Sequence, residues 1–230
     1  MIDVSIVIPC YNEFLNLEHI VRRCEEIINK NKQFNFEFVL VNNGSTDDSH
    51  LYFNKLKRKN FKVVTIKNNI GYGNGIIQGL NHSSYDILAW THADLQTDIA
   101  DIVEGIKYLK RPITLVKGKR VSRKLIPKSL SLGMSLYACF KLGLWVNEIN
   151  AQPKIFTKKF FLSIKHNAPN DFSLDLFFCI QAKKKGKIKE YPVYFNKRLY
   201  ESAKGGGGTF SQKVKIIKRT IEYVNKLKAK

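Results

Sequence analysis

The order of apolar and polar positions in the first fifty residues predicts a strand, a helix and a second strand. Val4 to Glu13 begins with a strand-like run of β-branched residues, which stops at Pro9 and is followed by a polar tip. Phe36 to Ser49 is a second apolar run that leads into an Asn, Gly, Ser and Asp turn. Between them, Asn16 to Lys30 carries apolar residues at the three- and four-residue spacings of a helix, namely Leu17, Ile20, Val21, Cys24, Ile27 and Ile28. The pattern predicts a βαβ unit.

Further elements continue this alternation up to residue 116. Val63 to Ile66 predicts a short strand, the glycine-rich Asn68 to Leu80 a turn and a helix, and Ile87 to Trp90 a buried strand. Ile99 to Leu109 then predicts a helix, and Ile113 to Val116 a strand. The alternation predicts an α/β fold with a mostly parallel central sheet and helices on both faces. In such sheets ligands bind at the carboxyl ends of the strands.

The second half of the chain is less regular. Leu130 to Trp145 is a 16-residue apolar run with one charge, which is too short to span a bilayer and fits either a core helix or an interfacial helix. Asn170 to Lys185 predicts a helix, and Glu190 to Phe195 a final strand. Phe210 to Lys230 predicts a basic amphipathic helix that either packs on the domain or lies on an anionic membrane. We expect one domain over residues 1–205 followed by this helix over residues 206–230.

Composition and charge narrow the classes of protein to consider. A chain of 230 residues with 44% hydrophobic composition can bury a normal single core. No apolar run approaches the roughly 20 residues of a membrane span, and strand-like sequence begins at once, so we expect no signal peptide and a cytoplasmic location. The four cysteines lack metal-site spacing, and we expect them to be buried and reduced.

The formal net charge of +20 predicts attraction to polyanions such as anionic lipid, nucleic acid or phosphorylated substrates. The lysines are scattered and lack the basic and aromatic repeat of an RNA-binding sheet, so we do not expect nucleic acid as the partner.

The polar tip after Trp90 points to chemistry. The segment Thr91 to Asp98 reads THADLQTD, and it clusters an imidazole, a carboxylate and an amide at the end of a buried strand. These groups are suited to hold a divalent cation against a diphosphate. The tip therefore suggests an enzyme that uses a sugar nucleotide.

Three ordered motifs resemble the family 2 glycosyltransferases, and within them the dolichyl- and polyprenyl-phosphate sugar synthases. The family pattern of P-x-Y-N-E, V-D-D-G-S and D-A-D-L-Q strand ends is matched by residues 9–13 (PCYNE), 41–45 (VNNGS) and 92–96 (HADLQ). The similarity extends to about Lys204. It implies a GT-A-like fold with a Rossmann-like nucleotide-binding half, an acceptor-binding C-terminal part, and transfer with inversion.

The resemblance also implies a set of donor-binding residues. Positions around the nucleoside are Pro9, Tyr11 and Glu13, and the pair that contacts the base is Val41 and Asn43. The donor phosphates and a divalent metal, Mn²⁺ or Mg²⁺, fall to the D-x-D-x-Q positions, which here are His92, Ala93, Asp94 and Gln96, with the metal ligands at His92, Asp94 and Gln96.

Two departures from the family pattern leave questions open. His92 replaces the first carboxylate of the metal motif, and an imidazole suits Mn²⁺ better than Mg²⁺, so a strict metal requirement is open. Asn42 and Asn43 replace both aspartates of the second motif. Because an amide both donates and accepts hydrogen bonds, the base is open between uracil, which we favour, and guanine.

Basic residues match the family in the second half. Arg120, Arg198 and Lys204 are expected at the donor phosphates, and Lys128, Gln152 and Lys154 at the acceptor or its phosphate. Asp175 is the candidate general base if the acceptor is a hydroxyl, with a helix-surface aspartate as the alternative. A phosphate acceptor is already ionised and needs no base.

These observations predict a glycosyltransferase that moves a sugar from a UDP- or GDP-type donor to a polyprenyl-phosphate or saccharide acceptor. The expected setting is cell-envelope polysaccharide or glycolipid synthesis, with peripheral contact at the inner face of the plasma membrane. The alternative is an inactive sugar-nucleotide binder or a basic scaffold on membrane or nucleic acid, which the replacements at His92, Asn42 and Asn43 keep open.

Overall fold

A computed structural model describes residues 1–121, 137, 141, 143, 145, 147–197, 214 and 218–225. Seven strands form one sheet: β1 (Ile2–Cys10), β2 (Phe34–Asn43), β3 (Phe61–Ile66), β4 (Ile87–Trp90), β5 (Ile113–Val121), β6 (Lys154–Thr157) and β7 (Lys187–Tyr194). The helices with bounds in this part of the chain are α1 (Phe14–Lys30), α2 (Ser49–Lys55), α3 (Tyr72–Asn81), α4 (Asp101–Ile106), α5 (Lys158–Leu162) and α6 (Leu174–Lys185). A 3₁₀ turn covers Lys165–Asn167.

The strand order in the sheet is β3-β2-β1-β4-β6-β5-β7. Strands β1 to β4 pair in parallel, β5 pairs in parallel with β7, and β6 runs antiparallel to both of its neighbours. The mostly parallel α/β sheet predicted from the sequence is therefore confirmed. The chain moves outward from β1 to β3 and then returns to place β4 on the other side of β1, so a topological switch point lies between β1 and β4.

The core occupies both faces of this sheet, which explains why the strands are continuous apolar runs. One face packs α1 against β1 and β2 through Leu17, Ile20 and their neighbours, as the helical spacing predicts. The other face joins Trp90 of β4 to Phe156 of β6 and Phe178 of α6. Burial from both sides holds the strand tips at fixed positions on one edge.

Several element boundaries differ from the predictions. Helix α4 is shorter than the predicted 99–109, α6 begins at Leu174 instead of Asn170, and β7 covers Lys187–Tyr194. Strand β6 and helix α2 were not predicted. Strand β6 has only four residues and begins with a lysine, so its pattern alone does not distinguish it from a loop.

The C-terminal region contacts the domain. Residues 218–225 are helical, Val224 is fully buried in the same core cluster as Trp90, and Tyr223 packs against that cluster. The hydroxyl of Tyr137 donates to Asn225 Oδ1 at 2.8 Å. The division into a 1–205 domain and a 206–230 helix stays a prediction, and most of Leu130 to Trp145 lies outside the described residues.

Cys10, Cys24 and Cys179 are buried free thiols, as predicted, whereas Cys139 lies outside the described residues. No helix among the described residues combines the length and the apolarity that a membrane crossing requires.

Candidate functional site

The tips of β1 and β2 are tied to each other by hydrogen bonds. The backbone N–H of Asn12 donates to Ser45 Oγ at 3.1 Å, and Asn12 Oδ1 accepts from the backbone N–H of Thr46 at 2.7 Å. Asn12 reaches this position with a φ of 54°, in the left-handed region that asparagine tolerates better than most residues. The first two motifs therefore form one continuous surface.

Glu13 and Tyr11 are partly exposed on this surface, next to Pro9. Glu13 Oε2 accepts from Asn16 Nδ2 at 2.5 Å, which orients the carboxylate at the start of α1. Both side chains therefore lie at the carboxyl edge of the sheet, where the sequence predicts that a nucleoside binds.

The tip of β2 presents an acceptor. Asn42 Oδ1 accepts the backbone N–H of Ser45 at 3.1 Å and closes the turn, so Asn42 has a structural role. Asn43 is only 3% exposed, and its Nδ2 donates to the carbonyl of Gly71 at 3.2 Å, while its Oδ1 has no hydrogen-bond partner in the structure. A buried acceptor without a partner costs free energy unless a ligand satisfies it. Asn43 Oδ1 is therefore an acceptor that is available to a donor group of a ligand at this tip.

Val41 does not fit its predicted role through its side chain. The side chain is fully buried in the core, where it packs near Gly79 of α3. Only the main chain of Val41 can contact a base, because the alternation of a strand turns its side chain into the sheet's packed face.

The tip of β4 carries the metal motif. Asp94 is 7% exposed, and its Oδ1 accepts the backbone N–H of Gln96 at 3.1 Å, which shapes the loop around Leu95 at a φ of 54°. Ala93 is buried and serves as a core contact. Gln96 is tied to the segment after β7, because its Nε2 donates to the Asn196 carbonyl at 3.1 Å and its own carbonyl accepts the Asn196 N–H at 2.7 Å.

His92 lies in an aromatic stack at this tip. Its ring is 5.6 Å from the ring of Tyr72, with an interplanar angle of 22°, and Tyr72 in turn stacks on Phe172 at 4.7 Å. Burial lowers the pKa of His92, and the opposing charges of Asp94 and Asp175 do not reverse the shift. The neutral imidazole, which is the form that binds metals, is therefore favoured at neutral pH.

The donor atoms at this tip fit a divalent cation only as a partial set. Among the residues that the structure describes, no three His, Cys, Asp or Glu side chains come together as a metal site. An imidazole nitrogen from His92, a carboxylate oxygen from Asp94 and the Gln96 amide leave coordination positions for other ligands. Cations in phosphate-transfer sites are often held by one or two carboxylates together with substrate phosphates, so the set fits a metal that arrives with a diphosphate.

Arg120 extends the site from the end of β5. Its backbone N–H donates to Glu148 Oε2 at 2.7 Å, its Nε is 3.7 Å from the same oxygen, and its guanidinium lies 5.2 Å from the centre of the Phe195 ring. Phe195 precedes Asn196, so the segment after β7 contacts both Arg120 and Gln96. Lys128, Arg198 and Lys204, which were also predicted at the phosphates or the acceptor, lie outside the described residues.

Lys154 and Asp175 are placed differently from the prediction. Lys154 is 0% exposed, and its ammonium donates to Asp175 Oδ1 and to the carbonyls of Ile149 and Ala151 at 3.0 and 3.2 Å. Asp175 is 1% exposed, so the helix-surface alternative is wrong. An ammonium enclosed by protein acceptors cannot receive an acceptor phosphate, and a carboxylate neutralised by that ammonium is poorly placed as a general base. In place of the predicted roles, the structure shows Lys154 and Asp175 as a buried ion pair next to Trp90.

Gln152 belongs to this same buried group. It is 2% exposed, and its Nε2 donates to Asp175 Oδ1 at 2.9 Å and to the hydroxyl of Tyr72 at 3.3 Å. Its Oε1 has no hydrogen-bond partner in the structure, and the contact of Gln152 with an acceptor stays a prediction. Four residues at this edge were not predicted from the sequence: Tyr72, Phe172, Phe195 and Glu148. The available signal was the aromatic residue inside the glycine-rich segment at residues 71–75.

Comparisons with known proteins found a family match and sequence relatives. A family model described as Glycosyl transferase family 2 matches residues 5–173. The chain is 31% identical over 125 residues to the uncharacterized glycosyltransferase YkcC of Bacillus subtilis (strain 168), covering 54% of this chain and 38% of that protein. It is 29% identical over 153 residues to the undecaprenyl-phosphate 4-deoxy-4-formamido-L-arabinose transferase of Pseudomonas savastanoi pv. phaseolicola (strain 1448A / Race 6), covering 59% of this chain and 45% of that protein.

A solved structure with a similar fold is glucosyl-3-phosphoglycerate synthase from Mycobacterium tuberculosis in complex with Mn²⁺, uridine diphosphate and glucosyl-3-phosphoglycerate. It superimposes with a TM-score of 0.68 at 15% identity, covering 97% of this chain and 78% of the synthase. The GT-A-like fold is thereby confirmed. The chain spans less than half the length of the two sequence relatives, 38% and 45% respectively.

Proposed function

The chain belongs to glycosyl transferase family 2, and we propose that it transfers a sugar from a nucleotide-diphosphate donor to a lipid-phosphate or saccharide acceptor, with inversion at the anomeric carbon. The observation that carries the proposal is the meeting of three motif-bearing strand tips at one edge of the sheet. There Asn43 ends β2, while His92 and Asp94 follow β4.

The donor's diphosphate would lie between the β4 tip and Arg120. His92, Asp94 and Gln96 would hold a divalent cation together with the diphosphate, and the bound cation would neutralise the negative charge that develops on the leaving group. Arg120 would add a second positive charge from β5. The Asn43 Oδ1 acceptor suits the ring N–H of uracil and that of guanine alike, so the proposed donor is a UDP- or GDP-sugar.

The buried Lys154–Asp175 pair bears on the acceptor. A sugar hydroxyl needs a general base within hydrogen-bond reach, whereas a phosphate monoester is ionised near neutral pH. Because Asp175 is neutralised inside the protein, the arrangement favours a lipid phosphate over a saccharide. The undecaprenyl-phosphate acceptor named for the Pseudomonas relative supports this choice. Such an acceptor would place the protein at the inner face of the plasma membrane, in envelope polysaccharide or glycolipid synthesis.

The donor half of the proposal is tested by thermal unfolding with UDP-, GDP- and dTDP-sugars, each with Mn²⁺, Mg²⁺ or EDTA. A ligand that binds only the folded state raises the melting temperature. We expect a metal-dependent rise with one nucleotide class, and its loss in Asp94→Asn, which removes the charge but keeps an acceptor for the Gln96 N–H.

The matched control is Asp86→Asn, the same change at an exposed residue just before β4, at the opposite edge of the sheet. It should leave the rise intact. No rise with any nucleotide in the unmutated protein would reject the proposal and favour the basic scaffold instead. Transfer from the donor so identified to polyprenyl phosphate and to an oligosaccharide, measured side by side, decides the acceptor.

A further inference from the structure

The ring of Tyr72 is held between the rings of His92 and Phe172. The Tyr72–His92 centroids are 5.6 Å apart at 22°, and the Tyr72–Phe172 centroids are 4.7 Å apart at 7°. The three residues come from distant parts of the chain: the start of α3, the β4 tip and the loop before α6. Stacked aromatic pairs of this kind fix the orientation of the rings relative to one another.

The backbone on both sides of Tyr72 packs closely against the loop before α6, which fixes the position of the Tyr72 Cα. Gly71 has a φ of 143°, and a Cβ there would lie 2.2 Å from the carbonyl oxygen of Asn170. At Gly73 a Cβ would lie 2.5 Å from the carbonyl oxygen of Pro169. The Asn74 N–H also donates to the Asn170 carbonyl at 2.9 Å. Helix α3 therefore begins in direct backbone contact with the loop that carries Phe172.

The hydroxyl of Tyr72 is anchored below the stack. It accepts from Gln152 Nε2 at 3.3 Å, and the same nitrogen donates to Asp175, whose charge is matched by Lys154. The adjacent Gly71 carbonyl accepts from Asn43 Nδ2 at 3.2 Å. The turn at Gly71 and Tyr72 thus touches both the base-facing tip of β2 and the β4 tip.

We propose that Tyr72 is a positioning residue that sets the orientation of the His92 imidazole for a divalent cation bound with the donor diphosphate. The proposal rests on the proposed function. An imidazole offers one nitrogen along one direction, whereas the carboxylate it replaces offers two equivalent oxygens and tolerates rotation. A histidine at this position therefore needs a neighbour that holds its ring, and groups that orient a metal ligand affect metal binding strongly.

The test measures binding of UDP and of GDP to the whole protein by titration calorimetry, with and without Mn²⁺. The quantity of interest is the factor by which Mn²⁺ raises nucleotide affinity. We expect Tyr72→Leu to reduce this factor by about 10- to 100-fold, the range for loss of a group that orients a metal ligand. Affinity without metal should change little. Tyr72→Phe should keep most of the factor, because it preserves the stacked ring.

Two further variants separate positioning from a general loss of structure. Tyr108→Leu is the matched control, because Tyr108 packs on Tyr191 at 5.9 Å on another part of the sheet, and it should leave the factor unchanged. In the background His92→Asp, which restores a carboxylate, Tyr72→Leu should no longer alter the factor. If Tyr72→Leu does not fold, the partly exposed Phe172→Leu decides, with a smaller reduction expected.

Each outcome has a distinct meaning. A factor unchanged within about twofold in Tyr72→Leu, or the absence of any Mn²⁺ effect in the unmutated protein, would overturn the positioning role while nucleotide binding still supports the proposed function. A reduction of equal size in the His92→Asp background would also overturn it. Failure of the unmutated protein to bind either nucleotide would reject the proposed function itself.

Discussion

Asp101, at the start of α4, and Asp98, three residues before it, have opposite electrostatic environments. Asp98 accepts two hydrogen bonds from the Arg23 guanidinium, at 2.9 and 2.6 Å, and one from the Ala100 N–H. Burial alone would raise the pKa of Asp98, but these hydrogen bonds lower it below its usual value. Burial, followed by the charge of Asp98, raises the pKa of Asp101 from 3.8 to about 6. One carboxylate is therefore stabilised in its charged form and the other is not.

The contrast predicts stability changes of opposite sign. Since the folded state holds the Asp101 proton more tightly than the unfolded state, its contribution is complete below about pH 4 and is lost as the pH rises through about 6. Asp101→Asn should therefore raise the free energy of unfolding at pH 7.5. A two-unit shift is worth about 3 kcal/mol for a fully buried group, and we expect about 1 kcal/mol for this partly exposed one.

The control is Asp98→Asn, which should destabilise the protein at pH 7.5, with the effect fading as the pH falls below 3.8. Urea unfolding curves at pH 4.5 and 7.5 measure the Asp101→Asn effect, and a further curve below pH 3.8 measures the loss of the Asp98→Asn effect. A gain for Asp101→Asn that is as large at pH 4.5 as at pH 7.5 would contradict the assignment.

At the scale of secondary structure, β6 and α6 are joined by the buried Lys154–Asp175 ion pair. Lys154 begins β6 and Asp175 lies in the first turn of α6. The ammonium also lies 5.4 Å from the centre of the Trp90 ring, so the pair lies next to the last residue of β4. Removing one partner of a buried pair leaves an uncompensated charge, whereas removing both can be nearly neutral.

We accordingly predict that Lys154→Met lowers the free energy of unfolding by about 3–5 kcal/mol. The double variant Lys154→Met/Asp175→Asn should recover much of this loss, because neither member of the pair is left charged without its partner. The midpoints and slopes of urea unfolding curves measure the effect. Lys107→Met, which breaks the exposed ion pair with Glu104, is the control and should leave the unfolding midpoint nearly unchanged. A double variant no more stable than the single one would contradict a charge-based origin.

At the scale of the whole molecule, the net charge of +20 attracts polyanions over long distances. The site at the strand tips binds its ligand only by direct contact. Binding driven by charge alone releases counterions and weakens steeply with salt. A nucleotide held by hydrogen bonds, a cation and a shaped surface depends less on ionic strength. Ionic strength therefore separates the two kinds of binding.

We predict that the affinity for double-stranded DNA depends steeply on salt. If the protein neutralises at least six phosphates, the affinity should fall by about 10³-fold or more between about 50 and 200 mM salt. Nucleotide binding with Mn²⁺ should fall by only a few-fold over the same range. Fluorescence anisotropy with a labelled duplex and with a labelled nucleotide makes the comparison. Equal salt dependence of the two ligands would favour the scaffold over the enzyme.

The sequence by itself determined the order of β1, α1, β2, β3, α3, β4 and β5 and the position of the three polar tips. These features are local: strand and helix periodicity is set by neighbouring residues, and a polar cluster after an apolar run marks where the strand ends. Because parallel strands share one carboxyl edge, the meeting of residues 9–13, 41–45 and 92–96 also followed from the pattern.

Only the tertiary structure decided what lies around those tips. Burial of Lys154 against Asp175 depends on the antiparallel insertion of β6, and the stack of Tyr72 on His92 depends on the contact of α3 with the 168–171 loop. Contacts between residues tens of positions apart leave no periodic signal in the chain. A lysine or aspartate has the same local pattern whether it faces solvent or a buried partner, so its role is set by the packing that surrounds it.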